Sequence, residues 1–61
     1  MTLAELRPWV EEKITSYPNL KEEIMDYYEL CIDEIENGES ADNEIYLCIS
    51  SINDLIEDYN D

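Results

Sequence analysis

Asn37-Gly38-Glu39-Ser40 separates two stretches whose apolar residues recur at spacings of three and four, and that arrangement decides the fold. Before the turn come Leu20, Ile24, Tyr27, Tyr28, Cys31 and Ile35. After it come Ile45, Cys48, Ile49, Ile52, Leu55, Ile56 and Tyr59, with Ala41 extending the pattern toward the turn. Such spacings gather side chains on one face of an α-helix, whereas a half-buried strand alternates. Asn and Gly tolerate the positive φ that closes a helix at its C-terminus. Ser40 then stands as N-cap of the following helix, with Asp42 and Glu44 in a first turn that favours anions. A connection this short makes the two helices antiparallel.

In an antiparallel hairpin, residues equally far from the turn face one another, which brings Cys31 close to Cys48. A disulfide there and a pair of small buried thiols in a reducing compartment are both compatible with the spacing, and the thiol reading is preferred. Met25 and Ile32 fall beside the first stripe and widen it to roughly 160° of the helix circumference. One neighbour does not need so wide a stripe, so the helix before the turn is expected to pack against two.

The second neighbour is supplied upstream. Thr2 and Glu5 have the spacing of a capping box, and Leu3, Leu6, Val10, Ile14 and Tyr17 share a face. Pro8 interrupts this helix, either kinking it or opening its main segment after a short separate turn. Trp9 sits at the edge of the apolar face. Tyr17-Pro18 ends the helix, because the residue before proline is displaced from the α region, and Asn19 is expected to cap the next helix with Glu22 three residues on. The pattern predicts an all-α fold: a small three-helix bundle in one domain over 1–61, with helices at about 3–16, 20–37 and 41–59. If the first helix swung away, two hairpins could pair as a four-helix homodimer.

Sixty-one residues bury only about 60% of the unfolded surface. The 44% hydrophobic content and the periodicity nevertheless predict a folded chain. Its 17 acidic residues face three basic ones, Arg7, Lys13 and Lys21, for a net charge of −14, and no Lys or Arg occurs from Glu22 to Asp61. That balance excludes direct binding to nucleic acid or an anionic membrane. Met1 to Glu5 show no basic segment leading into an apolar run, and a cytoplasmic protein is expected.

The chain has no His, no glycine-rich phosphate loop, and no Ser or Cys with an evident base. Neither an enzyme nor a cofactor is expected. Asp33, Asn37, Gly38 and Glu44 have the spacing of a calcium loop, but Ile35 and Ser40 break the pattern, and no dedicated metal site is assigned.

The charge instead points to a surface. Glu22, Asp26, Glu29, Asp33 and Glu36 follow at spacings of four, three, four and three and fall within about 80° of one helix face, opposite the core stripe. Asp54, Glu57 and Asp58, with Asp61, form a second acidic patch. A solvated helix face ordinarily interleaves Lys with Glu, since such pairs stabilise it. Here the interleaving is absent, which favours recognition of a basic partner, most simply a nucleic-acid-binding protein whose groove would receive carboxylates in place of phosphates. The alternative is an apolar helical edge of Met25, Ile32, Tyr46 and Leu47, docking on a larger assembly or on a second copy, with the acidity serving solubility.

The segment Glu34-Ile35-Glu36-Asn37-Gly38-Glu39-Ser40, continued by Glu44-Ile45-Tyr46-Leu47-Cys48-Ile49-Ser50-Ser51-Ile52, resembles small uncharacterised helical-hairpin proteins of tailed bacteriophages. The resemblance covers about half the chain and implies an accessory protein that binds and inhibits or redirects a host protein in the host cytoplasm. It carries no functional residue onto this sequence.

Overall fold

The computed structural model describes every residue, Met1–Asp61, and contains three helices: α1 (Leu3–Ser16), α2 (Lys21–Glu36) and α3 (Ala41–Asn60). A 3₁₀ turn, Pro18–Leu20, joins the first two. The architecture is an all-α three-helix bundle built on the antiparallel α2–α3 hairpin. Helix α2 is the middle member and packs on both neighbours, most extensively on α3. None of the helices is long and apolar enough to cross a membrane.

The local chemistry accounts for the helix ends. Thr2 and Glu5 form the capping box: the Thr2 hydroxyl accepts the Glu5 N–H at 3.3 Å, and the Thr2 N–H donates to the Glu5 carboxylate at 3.0 Å. That backbone donor first, and the Thr2 hydroxyl second, hold the Glu5 carboxyl below the usual range. Pro8 lies inside a continuous α1, on its exposed side, where water can serve the carbonyl that the proline leaves without a donor. At the other end of the hairpin, Gly38 adopts φ 102°. The Gly38 N–H donates to the Ile35 carbonyl at 3.1 Å and the Glu39 N–H to the Glu34 carbonyl at 3.0 Å, the paired bonds of a Schellman closure. Ser40 accepts the Asn43 N–H at 3.4 Å and opens α3.

One cap differs from expectation. Asn19 does not cap α2, because Pro18 starts a 3₁₀ turn and delays the helix to Lys21, leaving Leu20 in the capping position with no side-chain bond. The Asn19 amide instead donates to the Tyr59 hydroxyl at 3.2 Å. Tyr59 meets Tyr17 edge to face with centroids 6.0 Å apart, and the Asn60 amide donates to the Tyr17 hydroxyl at 3.4 Å. The last turn of α3 thus clasps the α1–α2 connection.

The core consists of Leu6 and Val10 from α1, Leu20, Ile24 and Cys31 from the second segment, and Ile45, Cys48 and Ile52 from α3. Trp9, Tyr28, Ile35, Ile49, Leu55 and Ile56 close around it, with the Lys13 ammonium 5.2 Å from the Trp9 ring centroid. Because Leu6 and Val10 complete this core, α1 lies on the hairpin rather than swinging away. Leu3, Tyr27, Ala41 and Tyr59, assigned to apolar stripes by spacing, are exposed. Leu3 and Ala41 are the first residues of their helices, Tyr59 stands in the last turn of α3, where it meets Tyr17 and Asn19 yet stays half exposed, and Tyr27 lies on the flank of α2 that α3 only partly covers.

Candidate binding surface along α2

Helix α2 is held from two sides and open on the third. Its buried side chains, Ile24 and Cys31, point inward. On the opposite side Glu22, Asp26, Glu29, Asp33 and Glu36 are all exposed and succeed one another along the helix. At about 1.5 Å per residue the ridge rises through about 21 Å, with neighbouring Cβ atoms about 5–6 Å apart. The molecule measures 35 × 19 × 18 Å, so this line of charge covers much of its long dimension. Asp54, Glu57, Asp58 and Asp61 are likewise exposed, on the second half of α3. Since α3 runs antiparallel and Tyr59 meets Asn19, that patch lies beside the start of the ridge.

None of these carboxylates is in an ion pair, although Arg7 lines the same α1–α2 groove as Glu29 and Lys21 precedes Glu22. The chain contains one ion pair, Arg7 with Glu11 at 3.1 Å, and it lies within α1. Lys13 is engaged over Trp9. The ridge therefore presents a line of carboxylates without ion-pair partners, one per about 5 Å of helix axis against about 3.4 Å per strand of duplex DNA.

Two apolar gutters flank the crest. Between α1 and α2, Met25 and Ile32 line a groove with Val10, Tyr28, Arg7 and Glu29. Between α2 and α3, Tyr27, Leu30 and Leu47 line another, with Cys31, Cys48 and Glu44. The four residues of the expected apolar edge therefore do not make one patch. Met25 and Ile32 open on one side of α2 and Leu47 on the other, while Tyr46, 69% exposed, stands about 100° around α3 from Leu47. Leu30, 56% exposed, is a contributor that helical spacing alone does not single out.

Cys31 and Cys48 are buried free thiols under the α2–α3 groove. Burial pushes the Cys48 thiol up to about 12, with the neighbouring Cys31 adding to the effect. Cys31 is also raised, by burial and then by the Glu44 carboxylate. A thiol so disfavoured as thiolate is a poor nucleophile and a poor metal ligand. At the calcium-like spacing, Gly38 belongs to the helix closure and Ile35 packs on the core, so those backbone and side-chain positions are already committed. No group of three metal-ligating side chains converges. No family model, curated protein or solved structure matches the chain.

Proposed function

We propose that this protein is an acidic binding module that occupies the basic groove of a nucleic-acid-binding protein, its α2 carboxylates standing where backbone phosphates would stand. The observation that supports this reading is the ridge itself: five exposed carboxylates in line on a helix fixed from two sides, none of them in an ion pair. A helix held by core packing presents its charges without first being ordered, which spares the entropy that a disordered acidic tail would lose on binding. Arg and Lys of the groove would pair with the carboxylates through charge-assisted hydrogen bonds, and the net charge of −14 would steer the encounter. The resemblance to small phage proteins makes the partner a host protein and the setting the host cytoplasm, where the two thiols stay reduced.

The test is competition rather than capture alone. Proteins retained from a bacterial lysate by the tagged chain and eluted by salt are identified, and the binding of the recovered partner to DNA or RNA is titrated with the free chain. Displacement of the nucleic acid by the wild type, and its loss in the Asp26→Lys/Asp33→Lys variant, is the expected result. A partner that holds nucleic acid and this protein at once, or that binds the charge-reversed variant equally, overturns the mimicry.

A further inference from the structure

The α2–α3 groove has features that the ridge does not explain. Tyr27, Leu30 and Leu47 are 37%, 56% and 48% exposed, and they converge on one cleft floored by Cys31 and Cys48. Large apolar side chains exposed singly are ordinary, but three on one cleft make a contact surface. At about 250 Å3 and open to solvent, the cleft is smaller than the roughly 300–1,000 Å3 of small-molecule sites. It suits protruding side chains of another protein.

The ends of the cleft say what chemistry those side chains carry. Toward the turn, Glu44 lines it, and Glu34 follows Leu30 by one helical turn. Toward the other end, Glu23 precedes Tyr27 by one turn, while Asp54 and Asp58 follow Leu47 and Ser51 by two turns on the same side of α3. Carboxylates thus bracket an apolar centre, and the chain from Glu22 onward holds no cation to neutralise them. We infer that the α2–α3 groove is a docking seat for a basic amphipathic helix, which places apolar side chains about one turn apart against Tyr27, Leu30 and Leu47 and its Lys or Arg residues at the acidic ends. This is the helix-in-groove mode of recognition. A second copy of the chain is a poor occupant, because pairing would press two surfaces of the same sign together in a protein of net charge −14. The inference rests on the reading that the protein binds a basic partner, and it assigns that partner a second point of contact beside the ridge.

Two probes separate the surfaces. The isotope-labelled protein is titrated, with amide signals followed by NMR, first with a synthetic helical peptide of leucine and lysine whose leucines recur at helical spacing, then with oligolysine of equal charge. The leucine–lysine peptide is expected to shift Tyr27, Leu30, Leu47 and Ser51, and oligolysine the outward positions of α2. Leu30→Gln and Leu47→Gln leave the net charge unchanged and alter half-exposed positions, so the fold should survive, as a melting curve checks. Together they should weaken the leucine–lysine peptide at least about tenfold, the equivalent of about 1.4 kcal/mol, and leave oligolysine binding as it was. Identical shift maps for the two probes, or undiminished peptide affinity in the glutamine variant, overturn the seat. Concentration-dependent shifts of the same residues in the protein alone would make a second copy the occupant and overturn it as well. Oligolysine that shifts nothing on α2 at low salt overturns the ridge alone. In that case the seat stands if the leucine–lysine peptide still shifts Tyr27, Leu30 and Leu47, and falls if it does not.

Discussion

Replacing Asp26 and Asp33 by Lys should stabilise the free protein while removing the charge line proposed for recognition. The two positions take part in each adjacent pair of the ridge: Glu22 with Asp26, Asp26 with Glu29, Glu29 with Asp33 and Asp33 with Glu36. Like charges at these spacings destabilise a helix, and opposite charges stabilise it, by about 0.2–0.5 kcal/mol per pair. Conversion of one into the other is worth about twice that per pair, or about 1.6–4 kcal/mol over four pairs, before screening. All of these side chains are exposed, so a value near the lower bound, about 1.5 kcal/mol, is expected. With an unfolding entropy of about 2.1 cal/mol/K per residue, this corresponds to a rise of roughly 10 °C in Tm for a chain of this size. Circular-dichroism melts at about 10 mM salt, where the Debye length is about 30 Å, and at about 150 mM, where it is about 8 Å, provide the assay. Wild type should gain stability with salt, the Lys variant should gain less, and Asp26→Asn/Asp33→Asn should fall between them at low salt. A wild-type Tm indifferent to salt, together with a Lys variant no more stable than wild type, would refute the claim that the ridge carboxylates repel one another.

Other expectations follow from the core and the turn. Gly38 has φ 102° with nothing within 4 Å of where a Cβ would sit, so Gly38→Ala should cost about 1 kcal/mol from backbone conformation alone, and Gly38→Asn less. Urea unfolding midpoints of the two variants check this. Ile24 is fully buried in the first turn of α2, and Ile24→Ala should cost about 2–5 kcal/mol, enough to leave much of so small a domain unfolded in a urea titration extrapolated to water. The raised thiols give a pH dependence of definite sign. The native state retains the Cys48 proton to about 12 against an ordinary value of 9.0, so stability should fall as pH rises through that window. Below it the folded thiols should react with a disulfide reagent far more slowly than in denaturant, and equal rates would show that they are not buried.

The all-α class and the hairpin are legible in the sequence because several local signals agree: the three-and-four spacing, Asn37-Gly38 at the turn and Ser40 after it each favour the same arrangement. The expected Asn19 cap fails because two rules compete at Tyr17-Pro18-Asn19-Leu20, and the preference of proline for a first helical position prevails over the capping box. Tyr27 shows what spacing cannot supply. It lies within the apolar stripe of α2, but whether the edge of a stripe is covered depends on how α3 crosses it, which is a property of the packed pair. The same holds for the scattered apolar edge. Met25, Ile32, Tyr46 and Leu47 group together by spacing because each lies off a core stripe, and only the packing shows that a helix stands between them.

The distribution of charge ties the stability of this protein to its proposed role. Its cations are confined to the first third of the chain, and two of them are used locally: Arg7 with Glu11 and Lys13 on Trp9 support α1. Helix α2 could have gained stability from Lys at any of the outward positions between Glu22 and Glu36, and it has none. The loss is tolerable because α2 does not depend on its own surface pairs. Ile24 and Cys31 anchor it between α1 and α3, the Schellman bonds close its end, and the Asn19–Tyr59 contact holds its beginning. Packing thus supports a helix whose exposed face works against it, and a self-repelling surface gains most when a basic partner neutralises it. Binding of such a partner should therefore be tight at low salt and raise the melting temperature accordingly, and most of that rise should vanish at high salt as the affinity falls. A salt-independent stabilisation would instead assign the binding free energy to the apolar gutters.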